Sequence, residues 1–204
     1  MSDPIRRLRR PTPELRQSVK DITRVMIVEK GLSEVKARVI AKAAQTSVGT
    51  VYNLFGHLDD LVREINGETY DDLHATVTNA LTRSRSAGET ARQQLLSLAD
   101  AYLMWVESNH SLWSATLTFN RSRPQSPDWY TAKEVALLDV IADALTAFTQ
   151  LSEDERQSHA RALWASVHGI VTMAMGRSGL THPPSEVKGQ YGLIINAVAD
   201  FLDD

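Results

Sequence analysis

Between Lys36 and Asn53 the chain gathers side chains suited to reading a polar, anionic surface. Ser47, Thr50 and Asn53 carry short hydrogen-bonding groups, Tyr52 holds a hydroxyl at the end of a rigid ring, and Gly49, beside Val48, lets a partner approach the backbone. Lys36 and Arg38 add fixed positive charge just upstream. This is binding chemistry: donors and acceptors for base edges, cations for phosphates. Catalytic chemistry has no comparable cluster. The six histidines, at 57, 74, 110, 159, 168 and 182, lack metal-ligand spacing, and there is no cysteine, glycine-rich phosphate loop or nucleophile elbow. The expectation is therefore a non-enzyme without cofactor or metal.

Such side chains act only if a short helix holds them at a fixed angle. Thr12-Pro13 reads as a helix start, cap then first helical residue, and Leu15, Val19, Ile22 and Met26 follow at helical spacing until Gly31. Ser33 is expected to cap a second helix through Ala44, with Val39, Ile40 and Ala43 as its apolar face. Ser47 is expected to cap a third, with Val51 and Phe55 on one face and Gly56 as its stop. Small Ala43 and Ala44 precede a short connection, which is the pattern of a helix-turn-helix: the second helix braces the third, whose N-terminal residues enter the major groove.

Composition supports a mainly helical, globular chain. Of 204 residues, 43% are hydrophobic, and only 10 Gly and 7 Pro interrupt them. No apolar run is long enough for a signal peptide or membrane span, so the expected compartment is the cytoplasm, with no membrane partner. The net charge of −3 hides an asymmetry, since residues 1–57 hold 11 Lys+Arg against 5 Asp+Glu and the remainder 11 against 20. A basic end on an acidic body is what a polyanion-binding head would need.

The wording of this region is specific. Val39-Ile40-Ala41-Lys42-Ala43-Ala44, then Ser47-Val48-Gly49-Thr50-Val51-Tyr52-Asn53-Leu54-Phe55, then Leu58-Asp59-Asp60-Leu61, resembles the DNA-binding domain of the TetR (tetracycline-repressor) family over roughly residues 12–61. The resemblance implies an all-helical homodimer with a DNA-binding head, an effector-binding and dimerisation body, and a repressor released from its operator by a small molecule. It also implies that Thr50 and its neighbours face bases, Tyr52 contacts phosphate and Arg38 reaches the groove edge. Three positions depart from the family pattern: Gln45 where glycine is usual in the turn, Leu54 where histidine is frequent, and Leu58 where lysine is usual. The arginines at 6, 7, 9 and 10 are expected to compensate from a flexible arm that enters the minor groove.

The expected fold is all-α, about nine helices: a flexible basic arm (1–11), a three-helix DNA-binding domain (12–57), and a larger helical bundle for ligand binding and dimerisation (58–204). Within the bundle a fourth helix runs from Leu58 to the low 80s, Thr82–Gly88 is a loop, and Ser86-x-x-Glu89 and Ser152-x-x-Glu155 read as capping boxes. A break is expected at 108–111, a helix from Pro127 to about Gln150, another to about Arg177, and no strand. Ala162–Gly176 carries no Asp, Glu, Lys or Arg and shows two apolar stripes, one expected to face the body and one a second copy. The dimer interface is expected at Trp164, Val167, His168, Val171, Tyr191, Ile194, Ile195 and Val198. An effector pocket is expected among Met104, Trp105, Trp113, Phe119, Trp129 and Tyr130, because aromatic side chains with a few polar neighbours suit a small organic ligand. Expected partners are a palindromic or near-palindromic double-stranded DNA operator, a second copy of the chain and an unidentified small organic effector. The alternatives are a helical protein–protein interaction module or a non-specific nucleic-acid binder.

Overall fold

The computed structural model describes residues 12–123, 125–176 and 179–203. Among these lie eight α-helices and two short 3-10 turns. The chain divides into two compact units. The head comprises the described residues of Met1–Thr69 with Ser111–Gln125, and the body comprises those of Tyr70–His110 with Ser126–Asp204. By compactness, residues 58–69 and the described residues of 111–125 group with the head, whereas the boundary expected from the sequence lies at 57/58. The arginine arm lies outside the described residues.

In the head, α1 (Pro13–Lys30) starts as its sequence predicts. The Thr12 hydroxyl oxygen accepts from the Leu15 N–H at 3.1 Å, Pro13 opens the helix, and Gly31 ends it with φ = 83°. The second helix is shorter than expected. Ser33 sits in a 3-10 turn (Leu32–Glu34), and α2 (Ala37–Ala43) begins after Lys36 without a side-chain cap. Its buried face is Ala37, Ile40, Ala41 and Ala44, while Val39 and Ala43 point outward. The turn then takes Gln45 through φ = 54°, the left-handed region that glycine enters at least cost. Buried Thr46 returns its N–H to the Ala41 carbonyl at 2.9 Å.

Helix α3 (Val48–Phe55) is capped by Ser47, whose Oγ accepts from the Thr50 N–H at 3.0 Å. Val51 and Phe55 pack inward against Leu15, Val19, Ile27, Ile40, Leu61 and Ile65. Burial of this order, about 1.5–3 kcal/mol per large aliphatic side chain, is what holds such short helices together. Leu54 and Leu58 are half-buried and pack on the same core, so these two departures from the family pattern serve packing.

The fourth helix, α4 (Leu58–Ser86), outruns its expected end. Ser86 lies within it, giving its hydroxyl to the Thr82 carbonyl at 2.9 Å, and the box at the next helix is Thr90 with Gln93 instead of Ser86 with Glu89. Helix α5 (Ala91–Ser122) is continuous through the expected break but kinked at Asn109, φ = −121° and ψ = 20°. Ser108 and Asn109 both hydrogen-bond carbonyls four residues back, at 3.0 Å each, a recognised way to bend a helix.

In the body, α6 (Asp128–Ala144) stops short of Gln150 and passes into a 3-10 turn (Leu145–Ala147). Helix α7 (Glu153–Ala174) opens on the predicted Ser152/Glu155 capping box. Met175–Gly176 then pairs antiparallel with Gly179–Leu180, a two-residue ribbon that periodicity cannot reveal. Arg177, the expected helix end, lies outside the described residues. Helix α8 (Pro184–Asp203) completes the chain's described part and packs on α7, which also packs on α6.

Candidate nucleic-acid interface and ligand cavity

The outward side of α2 and α3 carries the candidate DNA contacts. Lys36, Arg38, Gly49, Tyr52 and Asn53 are exposed, and Tyr52 is 43% accessible although large and aromatic. Ser47, Val48 and Thr50 are half-buried. Val48 packs partly on the head core, and Ser47 is committed to its cap, with its Oγ also 2.9 Å from the Thr50 hydroxyl. Lys42 and Gln45 are exposed beside these residues and are not among the DNA contacts expected from the sequence. Gly49 is not required by the fold: an added Cβ would meet only Ser47 Oγ, at an ordinary 3.7 Å. A glycine that internal packing does not need, on an exposed helix start, is a place where an outside surface can come close.

Charge pairs hold this face from behind. Arg16 of α1 donates to the Leu54 carbonyl and to Glu64, and its guanidinium lies 4.2 Å from the Phe55 ring centre. It therefore ties the C-terminal end of α3 to α1 and α4. Lys20 bonds Glu68 at 2.5 Å, and Arg24 pairs with the same carboxylate. Partial exposure makes each pair modest alone, about 1 kcal/mol or less. Their shared geometry fixes the angle of α1 on α4. The basic residues of α1 thus spend part of their charge inside the head, while Lys36, 3.4 Å from Glu34, stands exposed with Arg38 and Lys42 on the outer side of α2.

The body contains a cavity of about 40 Å³. Five helices supply its wall, including Val77 of α4, Leu95 and Tyr102 of α5, Val140 of α6, Leu163 of α7 and Ile195 of α8. No lining side chain is charged. Tyr102 places its hydroxyl 2.7 Å from His168 Nδ1, and Trp164 stacks on the His168 ring at 5.2 Å with planes 16° apart. Burial holds the His168 pKa below the ordinary histidine value, so the neutral imidazole is favoured.

The six residues expected to form an effector pocket are not brought together around this cavity. Trp113 and Phe119 are buried in the head, and Phe119 is flanked by the guanidinium groups of Arg63 and Arg123. Trp105 is buried in the body and gives its indole N–H to Asp72 at 2.6 Å. Tyr130 packs edge-on to Tyr70, Trp129 borders an open surface groove, and Met104 is exposed. Aromatic content located them but could not say which helix faces converge. The stripe Leu95, Leu98 and Tyr102 was visible as a period, and only its pairing with α6, α7 and α8 makes it a cavity wall.

The expected dimer residues also redistribute. Val167, Val171, Tyr191 and Ile195 are buried within the body, and Trp164, His168 and Val198 are half-buried, because neighbouring helices cover both predicted stripes of α7. Tyr191 donates to Asp100, which also receives Lys188 at 3.0 Å; burial and that carboxylate raise the phenol pKa. Ile194 is partly exposed, and the apolar side chains that stand out most are Met173, Leu193 and Phe201, at 86, 73 and 72%. Ala162, Ala165 and half-buried Gly169 share the outer side of α7 with Met173. No described helix is long and apolar enough to cross a membrane.

Comparison with known proteins agrees with this arrangement. Residues 21–65 match the bacterial regulatory proteins of the tetR family, and residues 95–196 match the tetracyclin repressor-like C-terminal domain. No curated protein sequence matches. Among solved structures, a protein of Mesorhizobium loti assigned to the TetR family is similar at 18% identity, covering 92% of this chain and 96% of that one, with a TM-score of 0.70. The TetR-family regulator PfmR of Thermus thermophilus is similar at 17% identity over 91% and 96%, TM-score 0.58. The multidrug-binding protein EbrR, solved with imidazole, is similar at 19% identity over 92% and 90%, TM-score 0.65. With family matches over both its helix-turn-helix and half its length beyond it, this chain belongs to the TetR family of transcriptional regulators.

Proposed function

We propose that this regulator is a repressor that binds a palindromic or near-palindromic operator as a homodimer and leaves it when a small organic effector occupies the body. The outward side of α2–α3 carries the reading: a basic, hydrogen-bonding surface with Tyr52 exposed and Gly49 unconstrained by internal packing. Thr50 and Asn53 read base edges, Tyr52, Lys36 and Arg38 hold phosphates, Ser47 positions the helix, and Val48 and Gly49 allow close approach. Acting on DNA, the protein works in the cytoplasm and as a binder, not an enzyme.

Exposed Met173, Leu193, Ile194 and Phe201, with Ala162, Ala165 and Gly169 beside them, support a second copy docking on α7–α8. A two-fold pair suits two half-sites about one DNA turn apart, roughly 34–36 Å, or a multiple of it. The cavity supports an effector site, and the multidrug-binding relative gives a precedent for small organic ligands. Helix α4 runs from the head into the cavity wall at Val77, so an effector that favours one position of α4 shifts the population able to bind DNA.

A gel-shift titration on the DNA upstream of the chain's own coding region tests this. Sequence-specific retention at nanomolar protein supports the reading, while equal retention of random DNA or none overturns it. The variant Gly49→Ala sharpens it. Its melting temperature stays the same or rises, since alanine favours helix by up to about 1 kcal/mol, yet operator affinity falls.

A further inference from the structure

We infer that the body's cavity takes an electrically neutral, mostly hydrocarbon ligand, and that any polar group the ligand carries lies at Tyr102 and Trp164. The inference rests on the reading that the body binds an effector, and it narrows the chemical class. The wall is hydrocarbon from Val77, Leu95, Val140, Leu163 and Ile195, on every helix that contributes to it. Tyr102 and Trp164 are the lining side chains with polar atoms, and both are uncharged. The group behind them is no counter-ion either: His168 bonds Tyr102 and stacks on Trp164, and its burial favours the neutral imidazole. The charged cluster of Asp100 with Lys188, which Tyr191 joins, is satisfied within itself and does not line the cavity.

A carboxylate or ammonium group placed here would lose its water and find no opposite charge, a cost that hydrocarbon contacts do not repay. A neutral ring or chain gains from the same wall. The volume, about 40 Å³, is below the ~150 Å³ that accommodates benzene in a hydrocarbon cavity. Even a single ring must therefore part the helices, and ligand size is limited by how far they yield.

Four probes of one skeleton test the proposal on the purified full-length protein without DNA: toluene, p-cresol, benzoate and benzylammonium, titrated by calorimetry and by thermal shift. Toluene and p-cresol are expected to bind saturably and raise the melting temperature, and each ion to bind at least about tenfold more weakly, equivalent to 1.4 kcal/mol or more. Ala99→Leu, which fills the cavity from α5, is expected to weaken the neutral probes about tenfold while circular dichroism remains helical. An ion binding as tightly as p-cresol, no saturable binding of either neutral probe, or unchanged affinity in folded Ala99→Leu overturns the proposal. A separate gel shift keeps the two readings apart: saturating p-cresol that leaves the operator complex intact overturns effector release, whereas release by benzoate keeps release and overturns the ligand class.

Discussion

The outer side of α2–α3 and the cavity of the body recognise by opposite physics. The first is wet, polar and cationic, with Lys36, Arg38, Lys42, Tyr52 and Asn53 exposed. The second is apolar and uncharged, with Leu163 and Ile195 nearly inaccessible and the neutral Tyr102–His168 pair at its side. A surface that meets phosphates works through long-range charge and is screened by salt. A hydrocarbon cavity works through shape and desolvation, and salt hardly reaches it. One chain can therefore carry a ligand signal and a DNA contact whose energies respond to different conditions.

Salt should separate the two most strongly. With Lys36, Arg38 and Lys42 on each of two heads, about six phosphate contacts are expected, and operator affinity should fall about a thousandfold between roughly 50 and 200 mM salt. Binding of a neutral probe to the body, followed by calorimetry over the same range, should move less than about twofold. A flat DNA salt profile would mean that these cations do not touch phosphates.

Leu163→Ala comes next in size. Removing a nearly fully buried wall residue should cost about 2–5 kcal/mol of stability by urea unfolding. Operator binding by the folded protein should persist, and the enlarged cavity should admit bulkier neutral ligands. Within the head, Thr50→Ala and Tyr52→Phe should part company on a panel of operator variants. Loss of a base contact shifts the preferred sequence by about 1–3 kcal/mol, whereas loss of a phosphate bond weakens every sequence by about 1 kcal/mol. Uniform loss for Thr50→Ala would remove it from the reading set.

The smallest effect concerns pH. Burial lowers the folded pKa of His168, so the unfolded chain binds the proton more readily. Its contribution to stability is then complete above the unfolded value, about 6.5, and is lost as pH falls from there through the folded pKa. The melting temperature should decline slightly over that window in the wild type. The slope should flatten in His168→Gln, which does not titrate there.

The head was more legible in the sequence than the body. Thr12-Pro13, Ser47 and the Ser152/Glu155 box act locally, so their helix starts could be read from a few adjacent residues. Ser33 and Ser86 carry the same chemistry but do not cap, because a 3-10 turn and an overrunning α4 claim those positions. In the body every candidate depended on which of several apolar faces meets which neighbour. Trp113, Trp129 and Tyr130 are aromatic wherever they lie, and nothing local distinguishes a core residue from a cavity wall.

By itself the sequence determined the all-α class, the short capped α3 with its polar outer residues, and the charge division between the two ends, since these depend on spacing and residue type over a few turns. It also marked Gln45 as occupying a glycine position, and the backbone there does pass through the left-handed region. Tertiary structure alone decided the rest. It turned Val167, Val171, Tyr191 and Ile195 inward, left Met173, Leu193 and Phe201 outward, and assembled an uncharged cavity from five helices. The physical reason is that a helix apolar on most sides fixes only that it must be covered, and the helices packed against α7 determine which side remains exposed.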